Sequence, residues 1–249
     1  MELWQVALLF GVGSMAGMIN VLAGGGSSLT LPALIFLGLD SALANGTNRV
    51  AIIMQNIFAT ASFRKQQVSN FNLSVKLALW TLPGAIIGAI MAVRISDEWF
   101  QTILAIVLIG VIISMFFSPA GKQNLTANLD GKPNWLIYPA MFGIGFYGGF
   151  IQVGVGFLLM ASLFHLLRTS LVYVNMHKVL IVLIYTIPAL AIFIYSDKVD
   201  WGFGLSLAAG NAFGAWWAAK FAVKIGDKVV RYVLILAIVI MILKLLKVF

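Results

Sequence analysis

"VLAGGGSSLTLP", Val21 to Pro32, sets three consecutive glycines inside one of the most apolar parts of the chain. Glycine loosens a helix. Irregular backbone at bilayer depth survives only where buried protein or a wet cavity satisfies its polar groups. The rest of the chain decides whether this run lies at such a depth. Of its 249 residues, 61% are hydrophobic and 10% charged, with a mean hydropathy of +1.02. That is more apolar surface than a soluble domain hides from water. Apolar runs recur near the ~20 residues that cross a bilayer core, and the alternating pattern of a membrane barrel is absent. The chain reads as an all-α polytopic membrane protein whose first partner is the lipid bilayer.

The net charge of +8 lies between apolar runs, where basic residues orient helices, so no nucleic-acid partner is expected. With no cysteine, disulfides, thiolate metal sites and cysteine nucleophiles are excluded. The start, "MELWQVALLF", lacks the basic n-region of a cleaved signal peptide, so the first run is expected to be retained.

Reading apolar runs between polar breaks predicts about ten hydrophobic segments, some short or re-entrant: 3–23, 27–38, 45–63, 73–93, 99–117, 135–153, 155–167, 173–195, 201–220 and 231–249. The polar stretch "SPAGKQNLTANLDGKP" between the fifth and sixth reads as a linker. The expected organisation is a first repeat over 1–117, a cytoplasmic linker over 118–134 and a second repeat over 135–249, together one membrane domain.

The two groups resemble each other. "GVGSMAGMIN" at 11–20 aligns with "GIGFYGGFIQ" at 143–152, and "PGAIIGAIMAVR" at 83–94 with "AGNAFGAWWAAK" at 209–220. "NRVAII" at 48–53 faces "HKVLIV" at 177–182, which pairs Arg49 with Lys178. Loop charges then set orientation. The loop after the third segment carries Arg64, Lys65 and Lys76, and the one after the fourth carries Arg94, Asp97 and Glu98. In the second group the acidic loop comes first, with Asp197, Lys198 and Asp200, followed by Lys220, Lys224, Asp227, Lys228 and Arg231. Basic loops stay in the cytoplasm. The expectation is therefore two inverted five-segment repeats, with both termini extracytoplasmic.

Trp4, Trp99, Trp135, Tyr195, Trp201 and Tyr232 near segment ends read as interfacial anchors. The pairs Gly13/Gly17, Gly84/Gly88, Gly145/Gly149 and Gly210/Gly214 have the spacing that lets helix backbones approach closely.

Segment 27–38 is about 18 Å long as a helix, too short to cross a ~30 Å core. Gly24, Gly25 and Gly26 interrupt the chain before it, which leaves Ser27 and Ser28 at a helix N-terminus that favours an anion. "QVGVGF" at 152–157, with Gly154 and Gly156, precedes a second short segment. Two interrupted segments at matching positions point to a transporter's substrate site. The competing reading gives these glycines to tight helix crossing and the serines to a buried cap.

"ALANGTNR" at 42–49 clusters Asn45, Thr47, Asn48 and Arg49 at the start of the third segment. A membrane-embedded arginine faces a cavity or partner, or else reaches for the interface. The matching "VYVNMHK" supplies Asn175, His177 and Lys178, and Lys178, eighteen residues from Tyr195, is expected to reach the interface. Asn20 and Gln152, matching amides before the two breaks, either hold an oxyanion or join helices. Gln55, Asn56, Tyr147, Tyr185 and Asn211 read mainly as helix-to-helix hydrogen bonders. His165 and His177 are too far apart for a metal site, and no metal or cofactor is expected. No acidic residue lies mid-span, which disfavours a carboxylate-based cation pump.

These residues carry a resemblance. "GVGSMAGMINVLAGGGSSLTLPALIFLGLDSALANGTNRVA" resembles the opening of the sulfite exporter TauE/SafE family, with its glycine-rich first segment, G-G-G break, short Pro-containing stretch and A-x-G-T. "GFYGGFIQVGVGFLLMASL" is similar to the family's second half, although its break is sparser. The resemblance implies a bacterial or archaeal plasma-membrane transporter of sulfur-containing or organic anions, with sulfite, sulfoacetate and related sulfonates as family substrates.

The reading that follows is a carrier of a small anion, working by alternating access and holding its substrate with Asn20, Gly24 to Gly26, Ser27, Ser28, Thr47, Asn48, Arg49, Gln152, Gly154, Gly156, Asn175 and Lys178. A homodimer is compatible with this organisation. The alternatives are an anion channel, or a transporter of organic acids without sulfur, on the same fold. An enzyme is disfavoured, because the eight Asp and Glu lie mostly in loops.

Overall fold

The computed structural model describes residues 2–22, 25–65, 71–117, 134–169 and 171–221. Among these the chain is all helix, with no strand: α1 Leu3–Leu22, α2 Ser27–Phe36, α3 Ser41–Lys65, α4 Phe71–Arg94, α5 Asp97–Phe117, α6 Ile137–Phe150, α7 Val155–Leu167, α8 Leu171–Tyr195 and α9 Trp201–Phe221. The tenth expected segment and nearly all of the linker lie outside the described residues. Among the described residues, three helical stretches are both long and apolar enough to cross a bilayer: 3–20, 71–94 and 172–195. The ten residues of α2 and thirteen of α7 are shorter, about 15 and 20 Å at 1.5 Å per residue.

Helix starts follow local capping. Asp40 Oδ1 accepts from the Leu43 amide at 2.7 Å, and Asp200 Oδ1 from the Phe203 amide at 3.0 Å, so each aspartate caps the helix that follows it. The cap at Asp40 starts α3 four residues before the expected 45, which moves Asn45, Thr47, Asn48 and Arg49 from a helix end to the buried interior of a helix.

Polarity is arranged opposite to that of a water-soluble bundle. Leu79, Trp80, Ile106, Leu205 and Phe213 face outward, while Asn45, Arg49, Gln55 and Asn56 are buried. A hydrocarbon surround favours that arrangement, since polar groups must find partners inside.

Helix pairings recur when every label is advanced by five. α1 packs on α9 as α6 packs on α4, α3 on α9 as α8 on α4, and α2 lies between α1 and α3 as α7 lies between α6 and α8. The self-matching pair, α3 with α8, joins the two groups at the centre. Glycines make the two closest crossings. A Cβ on Gly17 would strike the Asn211 carbonyl of α9, and one on Gly88 the Phe146 carbonyl of α6. Gly13, Gly84, Gly145, Gly149, Gly210 and Gly214 meet facing backbone in the same way, so the four glycine pairs serve close helix packing.

At one end of the bundle the turns are tied together. Lys198 pairs with Asp40 at 3.2 Å, Asp97 Oδ1 accepts from the Ser41 amide at 2.6 Å, and Thr47 Oγ1 accepts from the Asp200 amide at 2.8 Å. The α4–α5 and α8–α9 turns therefore both meet the start of α3.

Candidate functional site

The N-termini of α2 and α7 meet inside the bundle, where the Ser27 hydroxyl donates to the Gln152 carbonyl at 3.2 Å. Gly25 and Gly26 are buried, and a Cβ on Gly26 would strike the Ala16 carbonyl of α1, so this break is also a close approach to α1. Gly24 lies outside the described residues. The second break turns through left-handed backbone at Gln152 (φ 64°) and Gly154 (φ 71°). Glycine accepts that conformation freely, whereas at Gln152 it costs roughly 1–2 kcal/mol. Two side-chain bonds hold the turn: Gln152 Nε2 donates to Thr186 Oγ1 at 3.3 Å, and the Tyr147 hydroxyl donates to the Val153 carbonyl.

Most of the first amides of both half-helices are already used within the breaks. Ser28 and Leu29 donate to Gly25 and Gly26, each at 3.0 Å, and Val155 and Phe157 donate to Gln152 and Gly154. What the two breaks present to the bundle interior is therefore helix dipoles and side chains more than a row of open backbone N–H groups.

Beside this junction lies a small, partly open cavity. α1 contributes Asn20, α2 contributes Ser27 and Thr30, and α3 contributes Ile52, Gln55 and Asn56. Gln152, Val155 and Gly156 close it from the second break, with Lys178 and Val182 from α8 and Asn211 from α9. Among the described residues its one lining cation is Lys178, and no carboxylate lines it. Lys178 does not reach the interface. It is 3% exposed, with Nζ 2.7 Å from Asn175 Oδ1, 3.3 Å from the Asn20 carbonyl and 3.7 Å from Met160 Sδ. Starting α8 at Leu171 puts Lys178 about 10 Å along the helix, where its ammonium meets the Asn20 carbonyl near the C-terminal end of α1.

Arg49 stands away from the cavity lining. It is fully buried, its Nη1 donates to the Gly148 carbonyl at 3.2 Å, and its Nη2 donates to the Gly149 carbonyl at 2.5 Å and Asn45 Oδ1 at 3.3 Å. Its guanidinium lies 4.7 Å over the Phe193 ring. Asn45 Nδ2 donates to the Phe150 carbonyl at 2.6 Å, and the Ile151 amide donates to the Tyr147 carbonyl at 2.9 Å. The last four carbonyls of α6, which no helix satisfies internally, are thus all paired. The i, i+4 spacing of Asn45 and Arg49 places both side chains at that helix end. Lys178 does at α1 what Arg49 does at α6, but with one carbonyl instead of two.

The remaining expected residues divide. Asn20, Ser27, Gln152, Gly156 and Lys178 line the cavity, and Asn175 holds Lys178. Thr47 fastens the α8–α9 turn through Asp200. Ser28 and Asn48 are buried, and the Ser28 hydroxyl and both Asn48 amide atoms have no hydrogen-bond partner among the described residues. Gly154 provides the turn. Thr30 is a lining residue that sequence reasoning missed. It lies three residues after Ser27, on the same face of α2, and that spacing was the available signal. Gln55, Asn56 and Asn211, expected to bond between helices, also line the cavity. His177 Nδ1 lies 2.6 Å from the Ser74 hydroxyl, and among the described residues no group of His, Asp or Glu is placed to hold a metal.

Relatives of this chain are membrane proteins. It is 27% identical over 231 residues to a probable membrane transporter protein of Haemophilus influenzae, covering 91% of this chain and 88% of that one. It is 29% identical over 243 residues to the probable membrane transporter protein YfcA of Escherichia coli, covering 97% and 89%. A probable membrane transporter protein of Sinorhizobium is 26% identical over 247 residues, covering 97% and 92%. No solved structure matches the chain. The profile of the family described as sulfite exporter TauE/SafE matches residues 9–245, and with breaks, short helices and profile agreeing over nearly its whole length, the chain belongs to that family of multi-pass membrane transporters.

Proposed function

We propose that the protein is a cell-membrane transporter that exports small sulfur-containing oxyanions or organosulfonates, sulfite-like or sulfoacetate-like, by alternating access. The observation that carries this reading is the cavity where two half-helix N-termini meet, lined among the described residues by Lys178 and by no carboxylate. Two positive dipole ends and a buried ammonium favour negative charge there. Asn20, Ser27, Gln152 and Lys178 would contact the anion, joined by Thr30, Gln55, Asn56 and Asn211, while Arg49 and Asn175 position the helices and the lysine.

Saturable, counterflow-accelerated sulfite flux in liposomes holding the full chain is the expected result. Flux no greater than in empty liposomes would overturn the reading, linear flux without counterflow would make the protein a channel, and faster acetate than sulfite flux would remove the sulfur specificity.

The fold is read as ten segments in two inverted five-segment repeats, with the linker cytoplasmic and both termini outside. The five-step recurrence of helix pairings supports this, as does the meeting of the α4–α5 and α8–α9 turns at one end, since loop charge places both turns outside. Because the chain has no cysteine, single cysteines at Lys65 and Lys198 can be labelled without background. An impermeant thiol reagent added outside is expected to label Lys198→Cys and spare Lys65→Cys, and equal labelling of both would contradict the inversion.

A further inference from the structure

We infer that the cavity is a monoanion site, with Lys178 as the single counter-charge that sets substrate valence. The inference rests on the anion reading above and narrows it, favouring a simple sulfonate or hydrogensulfite over a dianion such as sulfoacetate or sulfate.

The buried charges decide it. Among the described residues, the buried arginine and lysine side chains are Arg49 and Lys178. Arg49 is committed to the Gly148 and Gly149 carbonyls and does not line the cavity. Lys178 lines it, has no carboxylate partner among the described residues and gives its ammonium to neutral acceptors, Asn175 Oδ1 and the Asn20 carbonyl. The site thus holds one full positive charge in need of a partner.

The dipole ends add fractions to that charge. The N-termini of α2 and α7 contribute roughly +0.5 each, and the α1 C-terminus at Asn20 roughly −0.5. With Lys178 the sum is about +1.5, from which a monoanion and a dianion each depart by about half a charge, so desolvation decides between them. For a dianion the electrostatic gain doubles, but the desolvation cost of an ion rises as the square of its charge, about fourfold, in a cavity with Ile52, Val155 and Val182 in its lining. Among the described residues the cavity offers polar groups to orient an oxyanion but no second cation. Thr30 lines it while 1% exposed, and its hydroxyl, able to donate to an oxyanion, has no partner among the described residues; the Gln152 and Asn211 side-chain oxygens are unpartnered too, but as acceptors they call for a donor. Polar side chains left in that condition are expected to be completed by a ligand.

Methanesulfonate and sulfate make a matched probe pair, both tetrahedral at sulfur with five heavy atoms, differing by a methyl in place of a charged oxygen. Titrated calorimetrically into the purified full chain at constant ionic strength, methanesulfonate is expected to bind at least about tenfold tighter than sulfate. Sulfate binding as tightly or tighter overturns the monoanion assignment while leaving the anion reading standing. If neither binds, both fall. Gln55→Lys, which adds a second cation to the lining, is expected to shift the ratio toward sulfate by about tenfold or more. An unchanged ratio in that folded variant would show that lining charge does not set valence, and would sink the proposal.

Discussion

Arg49→Leu is expected to cost the purified protein roughly 3–5 kcal/mol, lowering its melting midpoint in detergent by about 10 °C or leaving no monodisperse protein to melt. The cause is the end of α6. Arg49 supplies the donors for the Gly148 and Gly149 carbonyls, and leucine supplies none. An orphaned buried carbonyl costs about 1–3 kcal/mol, and two such losses approach the 5–15 kcal/mol by which a whole domain is stable. Part of the loss is returned, because the variant no longer buries a cation whose acceptors are all neutral. Arg49→Lys is expected to recover part of the melting midpoint, since an ammonium can reach one carbonyl but lacks the planar fork that spans two. A wild-type melt for Arg49→Leu would mean that α6 ends on other donors and that Arg49 has a different role.

Element positions were readable from the chain because bilayer-scale apolar runs are long and their polar breaks are few. Phe71–Arg94, Leu171–Tyr195 and Trp201–Phe221 fall within two residues of the runs that predicted them. The start of α3 was misplaced by four residues for a physical reason. Asn45, Thr47, Asn48 and Arg49 look like a polar helix end in sequence, yet a polar cluster inside a membrane protein is equally well buried against the end of another helix. Here that helix is α6, and the chain carries no local mark of it. The glycine breaks were legible as interruptions, since no other residue tolerates Gly154's φ so readily. The use of most of their amides within the breaks was not, because it depends on the turn each break adopts.

The same limit applies to the two cations. Arg49 and Lys178 each follow an amide, Asn45 four residues before the arginine and Asn175 three before the lysine, and both lie well inside their helices. Sequence spacing makes them equivalents. What separates them is register against the helix each one caps. Arg49 commits both terminal nitrogens, to two carbonyls and Asn45, whereas Lys178 keeps one long carbonyl bond and faces the cavity.

That difference leads to opposite outcomes for the two substitutions. Lys178→Met keeps the length and apolar stem of the lysine and removes the ammonium. With the ammonium go a 3.3 Å bond to the Asn20 carbonyl, a bond to Asn175 and a weak one to Met160, while the cost of burying a charge among neutral acceptors is relieved. The melting midpoint is therefore expected to stay within about 3 °C of wild type, or to rise. Anion flux is expected to fall by about 100-fold or more, because truncating one partner of a buried charge pair costs about 2–5 kcal/mol of binding. Lys178→Arg keeps the charge but puts a planar fork where Asn20, Asn175 and Met160 leave room for a compact ammonium, so intermediate flux is expected. Sulfite flux and melting measured together on both variants check the assignment. Wild-type flux in Lys178→Met would remove the lysine from the substrate site, and a large loss of stability there would make it a helix cap like Arg49.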